Sequence, residues 1–176
     1  AVQRCYARFP RFLMVGQRTD LDIRDPIDFS AKNWSDQLGK WARERGELQP
    51  EYAIDYFAFA EDVWDGIPDF AVGRFHWDNW LIMRALSRRV PVIDATEAVQ
   101  CIHQNHDYAH SKAASYDELL ASKESERNRR LYGDGKKSCM VSDASHVVKP
   151  RGVKPARSKR YVWERMKRLR KHHPRL

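Results

Sequence analysis

Short apolar runs that alternate with helix-period segments constrain this chain more than any other feature. Phe12-Leu13-Met14-Val15 before Gly16 is a continuous apolar run of strand length, the pattern of a strand buried on both faces. After a turn-rich stretch, Asp20–Ser30, Trp34, Leu38 and Trp41 recur at i, i+4 and i+7. Gly46 follows Arg43 and Arg45, which predicts a helix with a C-terminal stop. Tyr56–Phe59 reads as a second strand. Trp77–Arg89 carries Asn79, Ile82, Met83 and Leu86 on one stripe, as a helix packed on a sheet does. Val90–Asp94 and Ala98–His103 are further short strands, with Pro91 marking a strand beginning or edge. Ser115 and Glu118 form a capping box that opens a polar helix ending near Gly133. Cys139–Val148 is a weaker strand, Pro150–Pro155 a linker and Ser158–Lys171 a basic amphipathic helix. Strands separated by helices predict an α/β layered fold.

A chain of 176 residues can bury roughly 70% of its unfolded surface in one domain. Six Trp, seven Tyr and seven Phe exclude a disordered chain, and no apolar run approaches the ~20 residues of a membrane-spanning helix. Cys5, Cys101 and Cys139 are widely spaced with no CxxC pair, which suits free thiols in a reducing, cytoplasmic setting. The absence of an initiator Met, with an apolar stretch close behind Ala1, reads as a start inside a larger protein. Of the 32 Lys and Arg, 12 lie in residues 149–176 beside one acid, Glu164, leaving 20 basic and 23 acidic side chains before them. The expected division is a mildly acidic body, residues 1–148, and a basic tail, 149–176. The acidic body argues against nucleic acid as a partner.

Three clusters carry candidate chemistry. Gly73–Trp80 packs Arg74, His76, Trp77, Asp78, Asn79 and Trp80 into the mouth of a helix. Indoles stack on sugar C–H faces or bases, Asp and Asn bind hydroxyls, and an Asp beside an apolar wall can serve as a general base. The plainer reading makes Asp78 a helix N-cap and the two Trp residues core. Ile102–His110 holds His103, His106 and His110, three imidazoles after a strand, either as metal ligands or as structural loop histidines. Asp20-Leu21-Asp22 has the Asp-x-Asp spacing that holds a divalent ion on a diphosphate, or it is solvated turn charge. No GxGxxG, Walker loop or Gly-x-Ser-x-Gly occurs, so dinucleotide, P-loop and serine-hydrolase functions have no support.

Together these segments resemble the second half of a GT-A nucleotide-sugar glycosyltransferase of the inverting family-two branch. The resemblance runs over Asp55–Phe59, Phe70–Gly73, Trp77–Leu81, the Val-Pro-Val-Ile-Asp strand and Ile102-His103, about residues 9 to 110. Val72–Phe75 stands where that family has "GGFDE", and Trp77-Asp78 where it has an acidic "ED" pair. Phe12–Arg18, Asp20–Asp22, Trp77–Trp80 and His103–Tyr108 are similar to glycosyltransferase-like proteins of undefined substrate. The resemblance implies a GT-A-like sheet with flanking helices, incomplete at its N-terminus, that transfers a sugar from a nucleotide-sugar donor to an acceptor hydroxyl with inversion. It implies Asp78 as catalytic base, with Trp77, Asn79, Trp80, Arg74 and Asp55 binding substrate. His103 would be a ligand for a Mn or Mg ion or for the diphosphate; the donor site would be incomplete, or Asp20 and Asp22 would stand in for the family's missing Asp-x-Asp as metal ligands. The chain departs from the family in having Trp-Asp for Glu-Asp and in lacking the nucleotide-binding N-terminal half. The basic tail is expected to lie on an acidic partner or on an anionic membrane carrying a lipid-linked acceptor. The alternative is a non-catalytic sugar- or nucleic-acid-binding module with a basic tail.

Overall fold

The computed structural model describes residues 1–106, 115–133 and 138–157. The expected helix at Ser158–Lys171 and the imidazole of His110 lie outside those residues. The elements run α1 (Val2–Tyr6), β1 (Leu13–Leu21), α2 (Trp34–Arg45), β2 (Glu47–Leu48), β3 (Ile54–Phe59), α3 (Trp77–Ser87), β4 (Val92–Asp94) and β5 (Cys101–Gln104). They continue with α4 (Tyr116–Leu120), α5 (Lys123–Tyr132), a 3₁₀ turn (Val141–Asp143), β6 (His146–Lys149) and β7 (Gly152–Pro155). The architecture is α/β, with a mixed open sheet of seven strands.

β1 is the axis of that sheet. One edge pairs antiparallel with β3 and then β2, and the other pairs parallel with β4 and then β5. β6 extends the sheet beyond β4, and β7 closes it as a hairpin. Leu13 and Val15 point into a core with Ile54, Ile82, Ala85 and Val92, while Met14 points to the opposite core with Cys5, Phe12, Ile93 and Val148. This is the two-sided burial that a continuous apolar run requires.

Three expectations change. β1 runs through Gly16 to Leu21, so Asp20 sits in a strand and only Asp22 lies exposed beyond it. Pro150–Pro155 is not a linker, since Gly152–Pro155 pairs back onto β6 and leaves its proline at the strand's last position. Cys139–Val148 is a 3₁₀ turn followed by a strand. Ser115 is the N-cap of α4 as expected, its Oγ accepting the Glu118 N–H at 3.2 Å. Gly133 follows the last residue of α5.

The continuity of β1 depends on a bulge in its neighbour. Val15 pairs with Phe57 and Gln17 with Ile54, so the two residues Asp55 and Tyr56 oppose Gly16 alone. A Cβ at position 16 would stand 2.2 Å from the Tyr56 hydroxyl and 3.0 Å from the Thr96 nitrogen. Glycine is therefore required for the ring to cross the strand.

Candidate functional site

The same bulge re-aims Asp55. Arg18 and Asp20 project from one face of β1, and the parallel register sets them beside Cys101 and His103. Asp55 reaches across to both strands: Arg18 Nη1 donates to its Oδ1 at 3.1 Å, and His103 Nδ1 lies 2.6 Å from its Oδ2. Arg18 Nε also stands 2.8 Å from Asp20 Oδ1. Burial works to lower the Arg18 pKa, but Asp55 and Asp20 more than offset this and hold it raised, so the guanidinium is fixed as a cation. Burial, followed by the charge of Asp55, pushes the Cys101 thiol up.

Asp78 enters from the other side, on the first turn of α3. The helix starts at Trp77 with His76 in the N-cap position, so Asp78 is its second residue and not its cap. Asp78 Oδ1 accepts the Asn79 N–H at 2.8 Å. Burial pushes its carboxyl up to about 6, opposed by backbone hydrogen bonds and reinforced by the negative charge of Asp55. A carboxylate raised in this way is a better proton acceptor than an exposed one and is still mostly ionised at neutral pH.

The chain holds this turn from behind. His76 has φ of 74°, an uncommon conformation for a non-glycine residue, and its ring stacks on Tyr132 with centroids 4.9 Å apart. Asn128, fully buried on α5, accepts the Ala71 N–H and donates to the Ala71 carbonyl, both at 2.9 Å. Asn79 Nδ2 donates to the Cys139 carbonyl at 2.7 Å, and the Cys139 N–H donates to the Tyr132 hydroxyl at 3.2 Å. α5 and residues 138–139 thus clamp the loop that presents Arg74, Trp77 and Asp78.

The expected site residues divide by orientation. Trp77 is half-buried with its edge on Phe57, centroids 5.3 Å apart. Arg74 is half-exposed; Nη1 donates to the Gly73 carbonyl at 3.2 Å, Nε has no acceptor, and no carboxylate pairs with it among the described residues. Asn79 and Trp80 are buried: Asn79 donates into the clamp, and Trp80 is 8% exposed in a cluster with Leu81 and Tyr132. Arg18 was not singled out by the sequence, although its i, i+2 spacing to Asp20 on a strand was a usable signal. His106 stacks at a tilt on His103, centroids 5.2 Å apart.

The acids and His103 are engaged with one another. Asp20 and Asp55 share Arg18, His103 faces Asp55, and Asp22 lies exposed beyond the strand. Among the described residues no group of three or more His, Cys, Asp or Glu side chains is placed to hold a metal ion. With a guanidinium already between two of the carboxylates, this donor set does not fit a divalent ion as arranged.

No family model, curated protein or solved structure matches the chain. Function is therefore argued from these side chains. Among the described residues no helix is long and apolar enough to cross a membrane.

Proposed function

We propose that the chain is a glycosyltransferase-like enzyme that moves a sugar from a nucleotide-sugar donor to an acceptor hydroxyl, with Asp78 as general base. The observation that carries this reading is the half-buried Asp78 carboxyl, pushed up to about 6, at a helix mouth with Trp77, Arg74 and the Arg18–Asp55–His103 group. Asp78 takes the proton of the acceptor hydroxyl as that oxygen bonds to the anomeric carbon. The bond from the anomeric carbon to the diphosphate oxygen breaks, and its electron pair leaves with the diphosphate. Attack opposite the leaving group inverts the anomeric centre.

Arg74, with no carboxylate partner among the described residues, supplies positive charge toward the departing diphosphate. Trp77 offers an indole face for a sugar ring. Asp55, held by Arg18 and His103, keeps a second negative charge near Asp78 and thereby strengthens the base. Peripheral contact with an anionic membrane, where a lipid-linked acceptor would reside, falls to the basic segment 149–176. Incubation with UDP-, GDP- and CDP-linked sugars, with release of nucleoside diphosphate measured, tests the proposal. Release from at least one donor, increased by an added acceptor, is expected, and no release from any donor refutes it.

A further inference from the structure

A second place in the molecule has the makings of a ligand site. The loop after β1 and the C-terminal half of α2 enclose a cavity of about 470 Å³, within the usual range for small-molecule sites. Trp41 and Arg45 line it from α2, and Asp22, Arg24 and Asp25 from the loop. We propose that this cavity binds a pyranose ring, with Trp41 as the stacking surface and the four charged side chains as partners for its hydroxyls.

The helix places Trp41 and Arg45 four residues apart on one face, with the Arg45 guanidinium over the indole at 5.2 Å from its centroid, so one face of the ring carries the cation and a sugar takes the other. The facing loop is tied to β5. The Ile23 N–H donates to Gln104 Oε1 at 2.9 Å, and the Asn105 N–H to the Leu21 carbonyl at 3.2 Å. These bonds fix the backbone at the start of the loop, which reduces part of the ordering cost of binding.

Charge selects the ligand class. Asp22, Asp25, Arg24 and Arg45 line one cavity, yet none of them forms an ion pair among the described residues. Two carboxylates and two guanidiniums cancel, so the lining offers no excess positive charge for a diphosphate. What it does offer is acceptors and donors at close spacing around a flat apolar surface. A neutral ring with one C–H face and several vicinal hydroxyls uses all of these: carboxylates accept from hydroxyls, guanidiniums donate to ring and hydroxyl oxygens, and the indole takes the C–H face.

Asp22 follows Asp20 by two residues, about 7 Å along an extended chain, so the cavity adjoins the Arg18–Asp20–Asp55 group. The binding does not rest on the transferase reading.

Saturation-transfer NMR with methyl glycosides of glucose, galactose, mannose and N-acetylglucosamine, and with UDP as the nucleotide control, tests the proposal. At least one glycoside is expected to receive saturation at its ring C–H protons. Trp41→Ala should weaken it by about tenfold, as loss of an aromatic contact implies. Trp34→Ala on the same helix should leave it unchanged, because Trp34 packs on Phe29 outside the cavity. Asp25→Asn and Arg45→Gln, on exposed side chains, should each weaken binding several-fold and serve where Trp41→Ala unfolds. Three outcomes overturn the proposal: no saturation of any glycoside, equal binding by wild type and the Trp41, Asp25 and Arg45 variants, or UDP binding that Trp41→Ala abolishes. The measurement needs neither donor nor turnover, so it can fail while Asp78 stands as the base, and the reverse.

Discussion

His103 Nδ1 lies 2.6 Å from Asp55 Oδ2, across the central strand that separates their own two strands. The contact exists because β3 carries an extra residue opposite Gly16, which turns Asp55 toward β5 and lets one carboxylate serve both His103 and Arg18. Removing that carboxylate has effects of two kinds. Asp55→Asn takes the carboxylate charge from His103 and leaves Arg18 with Asp20 alone, for an expected loss of about 1 kcal/mol of stability in urea unfolding. It also removes a neighbouring negative charge, so the Asp78 carboxyl should titrate lower than about 6, as read by carboxyl-carbon NMR. An unchanged Asp78 titration in a folded Asp55→Asn protein would disconnect the two acids.

Asp78 makes stability depend on pH with a definite sign. The folded protein holds the Asp78 proton more tightly than the unfolded chain does, because burial raises its pKa to about 6. Its contribution is fully present below the unfolded carboxylate range, near pH 4, and is lost as pH rises through about 6. Asp78→Asn should therefore be more stable than wild type at pH 7.5, by on the order of 2–3 kcal/mol, and close to it at pH 4. Urea unfolding of both proteins at the two pH values reads this directly.

Asn128 is expected to be the most sensitive position of the clamp. Asn128→Ala removes both hydrogen bonds to Ala71 and leaves a buried N–H without an acceptor, for an expected loss of about 2–4 kcal/mol. Hydrogen exchange should localise the change to the Ala71 amide and the loop before α3. Ser87→Ala at the far end of that helix, where the hydroxyl only bonds back to the Arg84 carbonyl, should show little change.

The crossing of Tyr56 over Gly16 can be tested by a pair of variants. The Tyr56 hydroxyl is buried without a hydrogen-bond partner among the described residues, so Tyr56→Phe should be neutral or stabilising by up to about 1 kcal/mol. Gly16→Ala drives a methyl group into that hydroxyl and against the Thr96 backbone, and should destabilise by about 1–3 kcal/mol. In the Tyr56→Phe background the cost of Gly16→Ala should shrink without vanishing, because Thr96 remains. Thermal melts of the three variants decide it.

The elements that could be read from the sequence were those with strong periodicity or explicit punctuation. The apolar run at Phe12–Val15, the stripe of α3 and the Ser115 N-cap all have local causes. The extension of β1 to Leu21 could not be read, because Gly16 looks like a strand end unless the Tyr56 ring crossing it is known. The hairpin β6–β7 was hidden by Pro150 and Pro155, which lie in the turn and at the last position of β7 and so cost no ladder bond. Within the site, Asp55, Asp78 and His103 were each singled out, and the contact between Asp55 and His103 depends on strand order. Asn79 and Trp80 were singled out for their polar and aromatic character, which says nothing of their burial; the helix register sets Asn79 against the Cys139 carbonyl and Trp80 beside Tyr132.

The central claim is that Asp78 accepts the acceptor's proton, and the direct measurement is nucleotide-sugar turnover by wild type and Asp78→Asn, with a thermal melt of each. Asn keeps the shape and the backbone hydrogen bond of the first turn and removes the basic oxygen. The account predicts turnover by wild type and a fall of roughly 10²- to 10⁴-fold in Asp78→Asn, with a melting temperature no lower than wild type. Equal turnover by the two proteins, or none by wild type on any of the UDP-, GDP- or CDP-sugars, would contradict it.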